Sequence, residues 1–505
     1  MTGISFLTGL MLLGADPSAL TAETKLTAST RVPQVEFGNF VAVSGQFAVV
    51  GAPGDEGASA SSGAAYVFHL NGESWHEAAK LVASDGVSSD FFGRAVAISG
   101  SVILVGANGQ DEVSLNSGAA YIFRYDGVAW NQEAKLLPDT PSDVYFGGTV
   151  TLGEDIAIIG APYGEGGLRS SGSVYVFRYD GTIWRQETKL ISGSVGGAGL
   201  RDLFGWSVAL SGETLVVGAP LADLAYVLVP DGTIWTLMAR LTGSDTENTD
   251  QFGYAVAIDG TLLAVGAPQA DAVGNNSGLG YVFALDGTGW RQVVRRTPAG
   301  LTPGSRFGWS VAVQGATVVV GAPDSEGAED IEASGTVEVF RFDGTHGTHV
   351  ARVHASDATA SDHFGASVAI SNGTVLVGTP GDDDAAGSAY VLTFEAIADV
   401  PAAFVASIHY ATSGGRLSTR HLHVTVVMSD VHGQPMNGAS ATVRIDRDAA
   451  PYWTGSGITS AEGTLTFSLR NYPFGCYRTT VIDLNGDTPE TLENEHCKES
   501  FRRRP

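Results

Sequence analysis

Apolar residues along this chain gather in short runs that are broken at glycine. Phe92-Gly-Arg-Ala-Val-Ala-Ile98 ends at Ser99-Gly100, and Val102-Ile-Leu-Val-Gly-Ala107 follows at once. After a polar loop come Ala119-Ala-Tyr-Ile-Phe-Arg-Tyr125, a turn at Asp126-Gly127, and Trp130-Asn-Gln-Glu-Ala-Lys-Leu136. Runs of this length are too short for helices, and Gly-containing two-residue links between them predict tight hairpins. The local unit is therefore four antiparallel strands.

The unit repeats. Phe-Gly recurs at Phe37, Phe92, Phe146, Phe204, Phe252, Phe307 and Phe364, and a Gly-Ala-Pro-like triplet starts 14 residues after each one, from Gly51 to Gly378. Repeat spacing varies from 48 to 58 residues, so insertions fall outside that fixed interval. Seven four-stranded units predict an all-β, seven-bladed β-propeller over residues 20–398. The last unit stops after Ala389-Tyr-Val-Leu-Thr-Phe394 without a fourth strand, whereas Glu23-Thr-Lys-Leu26, ahead of the first Phe-Gly, matches Glu187-Thr-Lys-Leu190. The N-terminal strand is thus expected to complete the last blade and close the ring. Such a closed ring is expected to be monomeric.

Phe-Gly followed by Gly-Ala-Pro, with a later Ser62-Gly63 and Tyr66-Val-Phe68, resembles the FG-GAP repeat of integrin alpha-subunit propellers and related surface proteins. The resemblance implies a secreted or surface-displayed binding or adhesion protein. Integrin-type repeats often carry an Asp-x-Asp-x-Asp-Gly calcium loop between the two elements. Here the links are short, as at Ser44-Gly45 and Asp259-Gly260, and cannot wrap a cation that wants six to eight oxygens, so no cofactor is assigned and calcium is left open.

Around residue 399 the repeat gives way to alternating strands such as His421-Leu-His-Val-Thr-Val-Val427 and Thr464-Leu-Thr-Phe-Ser-Leu469. Residues 399–505 read as a β-sandwich with a C-terminal tail, loosely resembling bacterial immunoglobulin-like modules. Cys476 and Cys497 are the only cysteines, and would form one bridge in an oxidising compartment. Residues 1–19 include an apolar stretch, Ile4 to Leu13, of signal-peptide length, and are read as a signal or leader segment. No apolar run long enough to span a bilayer appears.

Charge adds a constraint. With 54 acidic against 28 basic residues the net charge is −26, which excludes a basic nucleic-acid footprint. Strand alternation puts every variable-length loop on one face, and most of the acid excess lies in those loops, including Asp55, Asp111, Asp271, Asp324, Asp382, Asp383 and Asp384. Such a face would draw cationic partners, or would simply keep the protein soluble. Just after three successive Phe-Gly pairs stand Trp206, Tyr254 and Trp309, against Arg94 in an earlier unit. If this strand is innermost, these residues meet at the channel mouth, where aromatics would stack on a sugar or clasp a cationic side chain; plain inter-blade packing is the alternative. The Trp75, Trp130, Trp184, Trp235 and Trp290 series is read as structural.

No catalytic signature such as His-Glu-x-x-His or Gly-x-Ser-x-Gly is present. The expectation is a non-enzymatic extracellular protein that binds a protein or glycan through its variable acidic face. A carbohydrate-active or phospholipase-like enzyme and a passive module of a surface assembly are the alternatives.

Overall fold

The computed structural model describes residues 20–497 apart from 31, 73, 165–170, 196–200, 233, 248, 328–330, 343–346, 395–403, 414–420, 430–434, 436–439, 449, 461, 471–475 and 485–492. The expected leader, residues 1–19, and the end of the tail lie outside the described residues. Among those described, no helix is long and apolar enough to cross a membrane.

Seven four-stranded antiparallel sheets follow one another up to Phe394. In the first blade the strands are Val41–Ser44, Phe47–Ala52, Ala64–Asn71 and Ser74–Leu81, paired in that order. Ser44 pairs with Phe47, which leaves Gly45 in a two-residue turn at φ +56°, a conformation that favours glycine. The first strand of each blade touches the first strands of both neighbours, and Val41–Ser44 meets Ser367–Ser371 of the last blade. The Phe-Gly strand is therefore innermost, and the ring is complete. Its closure is the expected one: Leu20–Leu26 pairs antiparallel with Ser388–Phe394, Lys25 opposite Tyr390.

The core lies between blades. One cluster joins Leu26, Leu376 and Val391 of the closing blade to Phe37, Val50 and Tyr66 of the first, and comparable clusters fill the other interfaces. All seven Phe-Gly phenylalanines are fully buried. The glycines explain why the motif is so constrained. A Cβ on the Gly-Ala-Pro glycine of each blade would run into the carbonyl oxygen of the next blade's Phe-Gly glycine; the pairs run from Gly51 with Gly93 round to Gly378 with Gly38. Where a serine follows two residues after Phe-Gly's glycine, it locks the same carbonyl: Ser207 Oγ donates to Gly253 O at 2.9 Å, Ser310 to Gly365 O at 2.8 Å and Ser367 to Gly38 O at 2.9 Å. The phenylalanine amide is held as well. Phe92 N–H donates to Ser62 O of the preceding blade at 2.9 Å, and Phe146, Phe204, Phe307 and Phe364 repeat the bond. Where the fourth repeat lacks the Ser-Gly pair, the Asp223 carboxylate accepts the Phe252 amide at 3.0 Å instead.

Among the described residues, five blades carry a bulge at one place in the outermost strand pair, as between Val67 and Phe68. Of the strand-four tryptophans, Trp184 and Trp235 are buried, and their indole N–H groups donate to Glu133 and Glu187 of the preceding blades at 2.9 and 3.2 Å.

The chain from Val400 onward belongs to a second compact unit. One sheet orders Phe404–Ser413, His421–Ser429 and Thr464–Arg470; the other orders Ala450–Ile458, Ser440–Arg447, Cys476–Leu484 and Glu493–Cys497. Leu422, Val424, Val426, Val443, Ile445 and Phe467 form a core drawn from both sheets, a β-sandwich. Cys476 and Cys497 are direct partners in the register of two neighbouring strands.

The inter-blade seam makes a quantitative expectation. Gly106→Ala places a methyl against Gly147 O and should cost about 1–3 kcal/mol or more, whereas Gly287→Ala, which meets nothing within 4 Å, should stay within about 0.5 kcal/mol. Urea unfolding of both variants checks this; equal stabilities would remove the seam's role.

Candidate functional site

Every Phe-Gly pair is the centre of a tight turn. The amide of the residue after the glycine donates to the carbonyl of the residue before the phenylalanine at 3.0–3.1 Å in all seven blades, for example Trp309 N to Arg306 O. The glycine, third in the turn, has φ between +85° and +94°, which a side chain would oppose. The first residue is never glycine, yet Glu36, Phe91, Tyr145, Leu203, Gln251, Arg306 and His363 all have φ between +54° and +62°. This left-handed step brings the residues before and after each Phe-Gly side by side.

The outcome is one axial cavity of about 910 Å³ at the end of the channel that carries the variable loops. The residues following Phe-Gly in all seven blades line it: Asn39, Arg94, Gly148, Trp206, Tyr254, Trp309 and Ala366. Trp206, Tyr254, Trp309 and Arg94, singled out in the sequence, all line this cavity. Trp206 and Tyr254 rings lie 5.4 Å apart, Tyr254 and Trp309 4.7 Å, both tilted. Sequence reasoning missed two more rings: Tyr163 lies edge-on to Trp206 at 6.3 Å, and Tyr145 to Tyr163 at 5.3 Å. Five aromatic rings from four blades thus form an unbroken arc. They pack on one another across blades and still face the cavity, Tyr145 and Tyr163 being exposed and the other three half-buried. Tyr145 precedes a Phe-Gly and Tyr163 follows a Gly-Ala-Pro proline; those two offsets were the available signal.

The charged lining divides in two. Arg306 stands 5.3 Å over the Trp309 ring and pairs with Asp324 at 2.9 Å, and His363 Nδ1 lies 2.9 Å from the other Asp324 oxygen. The Asp324 carboxylate, as hydrogen-bond and charge partner, raises the His363 pKa above the usual imidazole value. Arg94 differs. Its guanidinium lies 4.7 Å over Phe40, its Nη1 is buried without a hydrogen-bond partner, and burial lowers its pKa. Glu36 acts on it only from a distance, being solvent-exposed and holding Asn39 Nδ2 at 2.8 Å. The hydroxyls of Ser207, Ser310 and Ser367, also in the lining, are committed to the seam.

The acidic face is less acidic than the loop sequences imply, because bases from the outer strands reach it. Asp55 is buried, accepts from the Tyr66 hydroxyl and pairs with Lys80 at 3.0 Å. Asp382 is buried against Lys25 at 2.6 Å, and Asp143 against Lys189 at 2.6 Å. Asp111 and Asp271 are exposed but accept the amides of Asn116 and Asn276 in matching loops, at 2.6 and 2.8 Å. Asp324 belongs to the cavity. Asp383 and Asp384 are exposed on a left-handed turn with φ +52° and +59°, with Asp383 Oδ2 3.8 Å from Lys25 Nζ. Asp55 and Asp382 thus neutralise the fold's own lysines and do not form a displayed cation surface. Among the described residues no three His, Cys, Asp or Glu side chains converge to hold a metal ion.

A family model described as the FG-GAP repeat matches residues 20–68, 75–123, 130–177, 184–228, 235–283, 290–340 and 348–392, more than half of the chain. No curated protein sequence shows a significant match. Among solved structures, the chain is similar to the WD40 domain of Toxoplasma gondii coronin, with TM-score 0.43, 8% identity and coverage of 77% of this chain and 93% of that one. It is also similar to the β-propeller domain of the trilobed protease from Pyrococcus furiosus, with TM-score 0.37, 9% identity and coverage of 67% and 90%.

The Asp324–His363 contact is directly measurable. A raised pKa means that the pairing favours the protonated ring: its contribution is full below the unfolded value of about 6.5 and is lost as pH rises through the folded one. NMR titration of His363 should give a midpoint above the unperturbed value, and Asp324→Asn should lower it; an unchanged midpoint would refute the assigned cause.

Proposed function

Because the chain belongs to the FG-GAP repeat family, we propose that it is a secreted or cell-surface binding protein that recognises a protein or glycan through the loop-bearing face of its propeller. The observation that carries this reading is the aromatic arc. Tryptophan and tyrosine offer large apolar area with little conformational entropy to lose, and such residues dominate recognition sites. Here five of them are left partly open in a cavity of ligand size, when ordinary inter-blade packing would have closed over them. The site of recognition shifts from the acidic loops, whose charges are largely engaged within the fold, to the axial cavity they surround.

The binding reading is preferred to a catalytic one because the hydroxyls of Ser310 and Ser367, which line the same cavity as Asp324 and His363, are tied to backbone carbonyls. An extracellular setting is supported by the in-register Cys476 and Cys497, whose placement suits a bridge in an oxidising compartment. We read the C-terminal sandwich as an immunoglobulin-like module, since its first, second and fifth strands form one sheet and its fourth, third, sixth and seventh the other.

The test is binding of the full chain to arrays of extracellular-matrix proteins and glycans, compared with the Trp206→Ala, Trp309→Ala double variant. Loss of a hot-spot aromatic costs about 2 kcal/mol, so the double variant should lose at least tenfold in affinity without loss of fold. Undiminished binding would place recognition elsewhere.

A further inference from the structure

Among the described residues, Arg94 is the unmatched charge in the cavity. Arg306, Asp324 and His363 satisfy one another, whereas Arg94 combines partial burial, a stack on Phe40 and an Nη1 with no acceptor. A guanidinium held without an acceptor forgoes a charge-assisted hydrogen bond, and its planar fork matches a carboxylate in two-point contact. We propose that the axial cavity binds a carboxylate-bearing saccharide, with the acid group on Arg94 and the sugar rings against Trp206, Tyr254 and Trp309. This inference rests on the binding function argued above and specifies its ligand class.

Three observations select that chemistry. The apolar C–H faces of a pyranose match the exposed aromatic faces, which an extended ionic chain would leave wet. A cavity of about 910 Å³ lies within the roughly 300–1,000 Å³ of small-ligand sites, and a single inserted aspartate or glutamate side chain would leave most of it unfilled. A lysine or arginine inserted among the same rings would lie beside Arg94 and Arg306, where like charges repel. The cavity thus favours an anion although the chain as a whole carries −26, and Arg94 supplies selectivity where the aromatic arc supplies contact area.

The experiment measures calorimetric binding of the full chain to galacturonate and hyaluronan tetrasaccharides, and to the same chains with their carboxylates reduced to alcohols. The native protein should bind at least one acidic chain and lose about tenfold to a hundredfold on carboxyl reduction. Arg94→Gln should abolish that difference, and Arg94→Lys should restore part of it, with melting temperatures near the parent's. If neither variant folds, the reduced chains still test the proposal on the native protein. Equal binding of acidic and reduced chains, an acid preference that survives Arg94→Gln, no binding of any chain, or tighter binding of a lysine-rich peptide would overturn it. Array binding that depends on Trp206 and Trp309 but not on Arg94 would leave the binding function standing and remove this ligand class; binding indifferent to all three would remove both.

Discussion

The ring depends on one backbone contact made seven times: a Phe-Gly carbonyl seated on the bare Cα of the Gly-Ala-Pro glycine in the preceding blade. Neither partner tolerates a side chain, so the contact sets how closely the inner ends of two sheets approach. The fixed interval of 14 residues is its sequence trace, because the innermost strand, its turn and the second strand must return the second glycine to the level of the first. The buried phenylalanines and the Ser-Gly carbonyls then fasten each blade to the next. Asp223 shows that the hydrogen bond is kept without its usual acceptor sequence: a side-chain carboxylate accepts from the Phe252 amide where the Ser-Gly carbonyl is missing.

Electrostatics follow from the same geometry. Outer strands end near the variable loops, so Lys25, Lys80 and Lys189 at those ends reach loop aspartates while lying over the buried tyrosines Tyr390, Tyr66 and Tyr175. In the sixth blade Glu338 takes the tyrosine position and Arg352 and His349 turn inward to it. Asp55, Asp143 and Asp382, which look like part of a surface field in the sequence, are thus internal counter-charges, and the axial cavity can carry the opposite sign from the molecule.

Fold and ring closure were legible because their signals are local or repeated: two-residue glycine turns, a constant offset, and a fourth strand missing at one end and present at the other. The cavity was half legible. Trp206, Tyr254, Trp309 and Arg94 share a motif position and so could be aligned by eye. Tyr145, Arg306 and His363 also share a motif position, directly before Phe-Gly, but nothing in a tyrosine, arginine or histidine announces the positive φ found there. Partnership was hidden for a different reason. Lys80 with Asp55, or Lys25 with Asp382, joins residues far apart in sequence. In the second unit the alternating strands were readable, whereas the opposition of Cys476 and Cys497 needed the register.

The turn around each Phe-Gly is closed by a main-chain hydrogen bond, so its form does not depend on which side chains flank it. Asn, Arg, Gly, Trp, Tyr and Ala already occupy the following position in different repeats without altering the hydrogen bond. Two such positions in each of seven blades form a set of interchangeable sites on an invariant frame, much as hypervariable loops sit on an antibody domain. Evolution, or a combinatorial library, could rewrite the specificity of this molecule residue by residue while its architecture stays the same.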